Sequence, residues 1–206
     1  EKGNIDSILR AMDRFGDYYP MYKLGEEKGV ILERELDALP APPRLAVELG
    51  TFLGYSALRT ARHLAPGGRM VCLEFNPYHA EVATEVLRHA GLADRVSVVV
   101  GVATKSLPKV AKEAGGGQAD FVLLDHAKDV YLSDLLLMEK LGLVKKGTLV
   151  AADNVVYPGA PGYLEHVATG GRYQTKMVDA KFEYDQKWKP GWESKRDAVS
   201  CSLCVS

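Results

Sequence analysis

Five short, nearly continuous apolar segments constrain the fold of this 206-residue chain more than any other feature of its sequence. None alternates strictly between apolar and polar residues, as a half-exposed strand does. Strands that are buried on both faces have this continuous pattern. We therefore predict a parallel β-sheet with helices on both faces. The five predicted strands comprise residues 44–50, 69–75, 96–101, 119–125 and 147–153.

Helix-period segments lie between these strands, and this alternation is typical of a doubly wound α/β domain. The last two predicted strands, 173–178 and 198–205, are different, because the segment between them contains no helix long enough for a parallel crossover. They are predicted to form an antiparallel pair. The predicted helices comprise residues 5–15, 26–39, 55–64, 77–90, 106–113 and 131–142.

Composition argues against several classes of function. With 26 Lys and Arg residues against 27 Asp and Glu residues, the chain provides no general field for a polyanion, so no nucleic-acid partner is expected. No apolar run approaches the roughly 18 residues that span a bilayer, so we expect a soluble chain without membrane contact. Three cysteines are too few for a disulfide framework and favour a reducing compartment, here the cytoplasm. Because the sequence does not begin with Met, a trimmed leader stays open.

Acidic residues stand at the ends of four of the five predicted strands. They are Glu48, Glu74, Asp125 and Asp153, the last followed by Asn154. Ligands of open α/β sheets bind outside the carboxyl ends of the strands, so these side chains share one edge. A single carboxylate at a strand end is usually a helix cap or a loop anchor. Four such ends indicate a binding site.

Two glycines separate the first predicted strand from the next helix in the segment ELGTFLGYS. Gly50 and Gly54 permit close approach of the backbone to a ligand, although their spacing is not the GxGxxG of dinucleotide-binding proteins. Glu74 ends the second strand, where a carboxylate can accept hydrogen bonds from both hydroxyls of a ribose. The sequence has neither a phosphate-binding glycine-rich loop nor a Walker lysine. These features favour a nucleoside cofactor with an amino-acid tail, such as S-adenosylmethionine.

The segments DHAKD and ADN follow two of the predicted strands. Adjacent strand ends lie about 5 Å apart, so Asp125, Asp153 and Asn154 can converge on one cation. Oxygen ligands without Cys or His favour a hard ion such as Mg²⁺. The alternative is that both aspartates are solvated loop residues. Lys128 is either an ordinary surface lysine or, beside a cation whose charge favours the neutral amine, a group that takes a proton.

Together, five segments of the sequence resemble the catechol O-methyltransferase family of class I S-adenosylmethionine-dependent enzymes. They are ELGTFLGYS, LEFNP, VVVG, LLDHAKDVYL and GTLVAADNVVYPGAP, and the match runs from about residue 25 to residue 183. The pattern DHxKDxYL followed by ADNVxxPGAP is highly specific and separates this family from the related caffeoyl-CoA methyltransferases. The resemblance implies a doubly wound, seven-stranded, mostly parallel sheet with an antiparallel last strand and helices on both faces. This α/β fold agrees with the pattern of apolar segments.

The resemblance also implies roles for individual residues. Asp125, Asp153 and Asn154 would bind Mg²⁺, and Lys128 would be the general base. Glu183 would hydrogen-bond a catechol hydroxyl, the alternative being an exposed residue at a strand end. The residues implied in substrate binding are Lys128, Asn154, Pro158 and Glu183. Those implied in cofactor binding are Leu24, Glu48, Gly50, Ser56, Glu74, Phe75, Gly101, Thr104, Asp125 and His126.

Some residues depart from the pattern of the family. Ala127 stands where the family usually has Trp, and Tyr22 stands where it usually has Met. A further Trp near the N-terminal helix is replaced by Tyr19 or Pro20. The proposed metal ligands and base are retained while the walls of the pocket differ, so the sequence predicts the chemistry more directly than the substrate.

A pair of cysteines and a pair of tryptophans are weaker indications of function. Cys201 and Cys204 have CxxC spacing, but at the two-residue period of a strand they point to opposite faces, which argues against a zinc or redox site. Trp188 and Trp192 lie in a Pro-Gly segment that is either close to the pocket or a surface loop.

We therefore predict a single methyltransferase domain, residues 1–206, in which helices within 1–40 cover the cofactor and substrate site and residues 44–206 form the α/β core. The predicted activity is Mg²⁺-dependent transfer of a methyl group from S-adenosylmethionine to one hydroxyl of a small catechol-type substrate, by a monomer. A Rossmann dehydrogenase is one alternative, but GxGxxG is absent. The other is a non-catalytic relative that binds S-adenosylmethionine for partner recognition. Such a protein would not need the proposed metal ligands together with the proposed base, Lys128.

Overall fold

The computed structural model of the chain describes residues 1–183 and 195–206. Their strands form one seven-stranded sheet in the order β3-β2-β1-β4-β5-β7-β6. Strands β1 to β5 are parallel, and β7 is antiparallel to both of its neighbours, which confirms the predicted fold class. The strands are β1 (Leu45–Leu49), β2 (Arg69–Glu74), β3 (Val96–Val100), β4 (Phe121–Leu124), β5 (Leu149–Ala152), β6 (Tyr173–Lys181) and β7 (Arg196–Cys204).

The described residues also contain seven α-helices, and the ends of the six predicted ones are correct to within three residues. Two short helical turns, Lys128–Val130 and Val155–Gly159, follow β4 and β5. No helix in this part of the chain has the length and apolar character of a membrane span. The α-helices are α1 (Ile5–Tyr18), α2 (Glu26–Asp37), α3 (Tyr55–Ala61), α4 (Pro77–His89), α5 (Ala103–Glu113), α6 (Tyr131–Lys140) and α7 (Pro161–Ala168).

Two hydrophobic cores lie on opposite faces of the sheet. In β1, Ala46 belongs to the core beneath α1 to α4, whereas Val47 belongs to the core beneath α5 to α7. Successive side chains of a strand point to opposite faces, so a central strand needs apolar residues at nearly every position. Cys201 lies in the first core and Cys204 in the second, which confirms that these two thiols point to opposite faces.

Strand β7 brings its N-terminal end to the carboxyl edge of the parallel strands. Ala152, the last residue of β5, pairs with Ser200, so the residues that precede Ser200 lie beside the end of β5. Strand β6 is antiparallel to β7 and therefore runs in the same direction as β5, so its last residue, Lys181, lies near this edge. The segments that follow β5 and β6 thus meet the start of β7.

Candidate active site

A cavity of about 720 Å³ opens at the carboxyl edge of the parallel strands. Its volume is typical of small-molecule sites. Tyr22 and Ala127, which depart from the family pattern, line it. The predicted site residues that line it are Gly50, Glu74, Phe75, Gly101, Thr104, Asp125, His126, Lys128, Asn154 and Pro158. The predicted site residues outside the lining are Leu24, Glu48, Ser56, Asp153 and Glu183.

Gly50 follows β1 and lines the cavity at a position where a side chain is excluded. Its φ of +91° favours glycine, and a Cβ atom there would lie 2.4 Å from the backbone oxygen of Asp125. The sequence predicted that glycine is needed for close approach to a ligand. The structure adds that the turn after β1 packs directly against the backbone that follows β4.

Glu74 presents its carboxylate at the end of β2. Its Oε2 accepts a hydrogen bond from the backbone N–H of Phe52 at 2.8 Å, and its Oε1 accepts one from the backbone N–H of Asn76 at 3.0 Å. A carboxylate oxygen can accept more than one hydrogen bond, so both oxygens keep capacity for ligand hydroxyls. Phe75, the next residue, is 72% exposed and presents an aromatic surface at the same end of the cavity.

Glu48 lies behind this surface and is fully buried. Its carboxylate accepts hydrogen bonds from the hydroxyl groups of Ser56 and Thr51 and from the thiol of Cys72. Burial raises the pKa of Glu48 to about 7, against the lowering effect of these hydrogen bonds. Leu24 is also buried, with its side chain in the core beneath α1 to α4. The predicted cofactor contacts of Glu48, Ser56 and Leu24 remain predictions.

His126 lines the cavity beside the end of β4. Its Nε2 lies 2.9 Å from Oδ2 of the buried Asp134, and its ring stacks on that of Tyr131 with 5.0 Å between centroids. Its Nδ1 is buried and has no hydrogen-bond partner among the described residues. The ring is therefore held in place at the cavity wall by two neighbours.

The loop after β4 places Lys128 beside Asp125. Lys128 Nζ lies 3.1 Å from Asp125 Oδ1 and 2.6 Å from the hydroxyl oxygen of Tyr131. The Tyr131 hydroxyl in turn lies 2.7 Å from the carbonyl oxygen of Leu124, which fixes it to the end of β4. Burial raises the pKa of Asp125 to about 7, with the Lys128 ammonium opposing the shift and the Asp153 carboxylate adding to it.

The register of the sheet sets Asp125 and Asp153 side by side. Leu124 pairs with Ala152, and each aspartate is the next residue of its strand. Asn154 follows with a left-handed backbone, φ +55°, which asparagine tolerates better than most residues. Its Nδ2 donates to Glu183 Oε1 at 2.9 Å and to Asp197 Oδ2 at 2.8 Å.

Lys28 of α2 lies at the centre of this acidic group, and its side chain is 1% exposed. Its Nζ is 2.7 Å from Asp153 Oδ1 and 2.6 Å from Asp197 Oδ2, and it also pairs with Glu183. Burial alone would lower the pKa of Lys28, but the Asp153 and Glu183 carboxylates outweigh it and the pKa is raised. Burial raises the pKa of Glu183 to about 7, whereas Lys28 outweighs burial at Asp197 and lowers its pKa.

The comparisons with known proteins agree with this geometry. The sequence profile described as O-methyltransferase matches residues 15–178. The chain belongs to the O-methyltransferase family.

The catechol O-methyltransferase of Bos taurus is 40% identical over 186 residues, 89% of this chain and 67% of the bovine protein. That of Sus scrofa is 43% identical over 163 residues, 79% of this chain and 87% of the porcine protein. The resemblance described from the sequence is therefore confirmed.

A solved structure supports the fold of this methyltransferase. The O-methyltransferase TomG of Streptomyces achromogenes, in complex with SAM, matches with a TM-score of 0.79 and 24% identity. The match covers 100% of this chain and 91% of that chain. The chain thus has the Rossmann-like fold of an O-methyltransferase.

Sequence reasoning missed two residues of this methyltransferase's acidic edge, Lys28 and Asp197. Lys28 precedes the buried Ile31 and Leu32 by three and four residues, so it lies on the apolar face of α2, an unusual place for a lysine. Asp197 immediately precedes the last apolar segment, and the start of an antiparallel strand lies at the carboxyl edge of its parallel neighbours. Both signals were in the sequence. The predicted Trp188 and Trp192 lie outside the described residues.

The acidic edge fits a divalent cation. Asp153 Oδ2 is buried and has no hydrogen-bond partner among the described residues, so it is available as a ligand. The carboxylates of Asp125, Asp153, Glu183 and Asp197 face two ammonium groups, those of Lys28 and Lys128. With all four carboxylates ionised, two formal negative charges are left, and a divalent cation would neutralise them and favour this ionised state. The ligand atoms of Asp153, Glu183 and Asp197 lie within 4.8 Å of one another, but the Lys28 ammonium already contacts all three.

Proposed function

We propose that this methyltransferase transfers the methyl group of S-adenosylmethionine to one hydroxyl of a catechol-type substrate in a Mg²⁺-dependent reaction, with S-adenosylhomocysteine as second product. The observation that carries the proposal is the meeting of Lys128, Asp125 and Asn154 at one end of the cavity that Glu74 and Phe75 line at the other. The similarity to catechol O-methyltransferases supports the substrate class.

The cofactor would lie along the ends of β1 to β4. Glu74 would accept hydrogen bonds from the two ribose hydroxyls, because its carboxylate is fixed by two backbone N–H groups and faces the cavity. Phe75, Thr104 and His126 would surround the adenine, and Gly50 leaves room for the chain that carries the sulfonium. Two of the predicted cofactor residues, Glu48 and Ser56, would act from behind the lining by holding the turn after β1. Leu24 would act through the backbone of the segment before α2.

The cation would be held by Asp125, Asp153 and Asn154, which offer the carboxylate and amide oxygens that Mg²⁺ prefers. When bound, S-adenosylmethionine supplies an electrophilic methyl group, and Mg²⁺ supplies positive charge that favours ionisation of a catechol hydroxyl. Lys128, in its neutral form, takes the hydroxyl proton at Nζ. The ammonium formed there can donate to Asp125 Oδ1 and the Tyr131 hydroxyl oxygen, which lie 3.1 and 2.6 Å away. Positioning and electrostatics supply the rest of the catalysis.

The catechol ring would lie between Tyr22, Ala127 and Pro158, all of which line the cavity. Glu183 would accept a hydrogen bond from the second hydroxyl, and its hydrogen bond with Asn154, which lines the cavity, supports this role. The non-catalytic alternative is not favoured, because the ligands and Lys128 are brought together in one place. We further propose that residues 1–206 act as one domain, as a cytoplasmic monomer, with the N-terminal helices covering the site.

A methyl-transfer assay tests this function. The protein is incubated with S-adenosylmethionine and a small panel of catechols, with Mg²⁺ or with EDTA, and the methylated products are separated by chromatography. We expect monomethylated product with Mg²⁺, its loss with EDTA and its return when Mg²⁺ is restored in excess. A phenol with one hydroxyl is the matched control and should react far more slowly. Turnover that is insensitive to EDTA would contradict the metal, and binding of cofactor without turnover would contradict the activity.

A further inference from the structure

The carboxylate of Asp197 lies outside the cavity lining and accepts hydrogen bonds from two side chains and from backbone N–H groups. Its Oδ2 accepts from Lys28 Nζ at 2.6 Å and Asn154 Nδ2 at 2.8 Å. Its Oδ1 accepts from the backbone N–H groups of Val156 at 3.2 Å and Tyr157 at 2.9 Å. The side chain is 0% exposed. Asp197 therefore joins α2 to Asn154 and to the turn that follows it.

The surroundings of Asn154 allow only one orientation of its amide. Nδ2 faces two carboxylate oxygens, Glu183 Oε1 and Asp197 Oδ2, which in their ionised form can only accept hydrogen bonds. The reversed amide would place Oδ1 against both carboxylates and leave Nδ2 without these acceptors. The amide is thus fixed with Nδ2 towards the carboxylates and Oδ1 directed away from them.

We propose that Asp197 is a positioning residue that orients the Asn154 amide so that Oδ1 is presented to the divalent cation. The inference rests on the proposed function, in which Asn154 is a cation ligand. Asp197 also fixes the backbone after Asn154, and Lys28 compensates the buried charge that this requires. Glu183 holds the same amide nitrogen from a second side, but without the contacts to Val156 and Tyr157 that Asp197 makes.

The variant Asp197→Asn tests this role, because it keeps the size of the side chain and replaces one acceptor oxygen by a donor. Mg²⁺ is titrated by calorimetry into protein saturated with S-adenosylhomocysteine, so the readout is independent of turnover. We expect the dissociation constant for Mg²⁺ to rise at least about tenfold, as is usual when a residue that orients a metal ligand is lost. The dissociation constant for S-adenosylhomocysteine should be unchanged. Unaltered Mg²⁺ affinity would overturn the proposal.

Asp120→Asn is the matched control. Asp120 Oδ2 accepts hydrogen bonds from the backbone N–H groups of Arg44 and Leu45, at 2.7 and 3.0 Å, at the opposite end of the sheet. The same chemical change there should lower the thermal unfolding temperature and leave Mg²⁺ affinity as in the parent. If Asp197→Asn does not fold, Asp197→Glu keeps the charge beside Lys28 and displaces the carboxylate, so it should also weaken Mg²⁺ binding. Parent-like Mg²⁺ affinity in a folded Asp197→Glu would count against the proposal.

A double variant separates orientation of the amide from a general effect on the fold. In Asn154→Asp with Asp197→Asn, the amide and the carboxylate exchange places, so Asn at 197 can donate to one oxygen of Asp at 154 and leave the other for the cation. Partial recovery of Mg²⁺ affinity relative to Asp197→Asn supports the proposal, and its absence overturns it. A parent protein that binds no Mg²⁺ would contradict the proposed function itself, whereas parent and Asp197→Asn binding equally well contradicts only the role of Asp197.

Discussion

The two ends of the cavity satisfy their acidic residues in different ways. At the end proposed for the cofactor, called the cofactor end, Glu74 accepts hydrogen bonds from backbone N–H groups, and Glu48 behind it accepts them from hydroxyl and thiol groups. At the metal end, Asp153 and Asp125 are paired with the ammonium groups of Lys28 and Lys128. Asp153 Oδ2 still has no hydrogen-bond partner among the described residues.

The cofactor end is therefore a preformed binding surface, whereas the metal end requires further positive charge. Neutral donors hold the Glu74 carboxylate in place, and its remaining acceptor capacity suits uncharged ligand hydroxyl groups. Ammonium groups at the metal end hold the carboxylates together but leave negative charge in excess. We therefore expect substitutions at the metal end to affect Mg²⁺ binding and turnover, and substitutions at the cofactor end to affect cofactor affinity.

The largest expected effect is that of Asp153→Ala, which removes a proposed ligand from the metal end. Loss of one carboxylate weakens a hard-ion site severely, so Mg²⁺-dependent turnover should be abolished. Cofactor affinity, measured by calorimetry with S-adenosylhomocysteine, should stay as in the parent, because Asp153 lies outside the cavity lining. Turnover within about twofold of the parent would contradict the metal assignment.

Lys128→Met should lower kcat by about 10²–10⁴ at neutral pH, the usual effect of losing a general base. Mg²⁺ affinity should be retained, because Lys128 contacts Asp125 as a counter-charge and not as a ligand. The exposed Lys112 of α5 provides the control, since Lys112→Met should react at the parent rate. A Lys128→Met enzyme with the parent rate, under conditions where chemistry limits turnover, shows that another group is the base.

At the cofactor end, Glu48 should make the free energy of unfolding depend on pH. Its pKa is about 7 in the folded state against 4.5 for an ordinary glutamate, so the folded state binds more protons between these values. Stability should therefore fall as pH rises from 4.5 to 7, by up to about 3 kcal/mol. Glu48→Gln should lower this slope in denaturant titrations by the contribution of Glu48, leaving that of Asp125 and Glu183, whereas Glu81→Gln, an exposed change on α4, should not alter it. Equal slopes in parent and Glu48→Gln would refute the assignment.

Glu74→Ala should weaken cofactor binding at least about tenfold, because two charge-assisted hydrogen bonds to the ribose are lost. Turnover at saturating cofactor and Mg²⁺ should be much less affected, which distinguishes this end of the cavity from the metal end. Glu74→Gln retains one acceptor oxygen and should lie between the parent and Glu74→Ala. Cofactor affinity that is the same in all three proteins would rule out the ribose contact.

The smallest effect is expected where the two ends meet, at Ala127. An alanine leaves unfilled the space of a Trp side chain, which can bury about 200 Å². The parent should therefore give a poorly biased mixture of meta and para products with a small catechol, because wall contacts decide between the two transition states. Ala127→Trp should bind the small catechol more tightly and sharpen the product ratio severalfold, with a smaller gain for a bulky catechol. A parent that is already selective, and indifferent to Ala127→Trp, would exclude residue 127 from the ring site.

The positions of Glu74 and Gly50 at the sheet edge could be predicted from the sequence, whereas their contacts with a cofactor remain a prediction. Glu74 and Gly50 each stand at the end of an apolar segment, so the strand pattern alone places them at the carboxyl edge. The same reasoning placed Asp125 beside Asp153, and the register of β4 and β5 confirms that they are neighbours. It did not show that Ser56 donates a hydrogen bond to Glu48 behind the lining. Glu48 lies in β1 and Ser56 lies in α3, and the contact between their side chains depends on how the turn between these elements packs.

The fold and the acids at the sheet edge follow from local features of the chain, namely the pattern of apolar residues and the ends of the strands. How the charges of those acids are compensated depends on contacts between distant segments. Lys28 reaches Glu183 and Asp197 across 155 and 169 residues of sequence, and it does so because the antiparallel β7 returns its first residues to the edge where β5 ends. Contacts between such distant residues follow from strand order and direction, which no local pattern around Lys28 or Asp197 specifies.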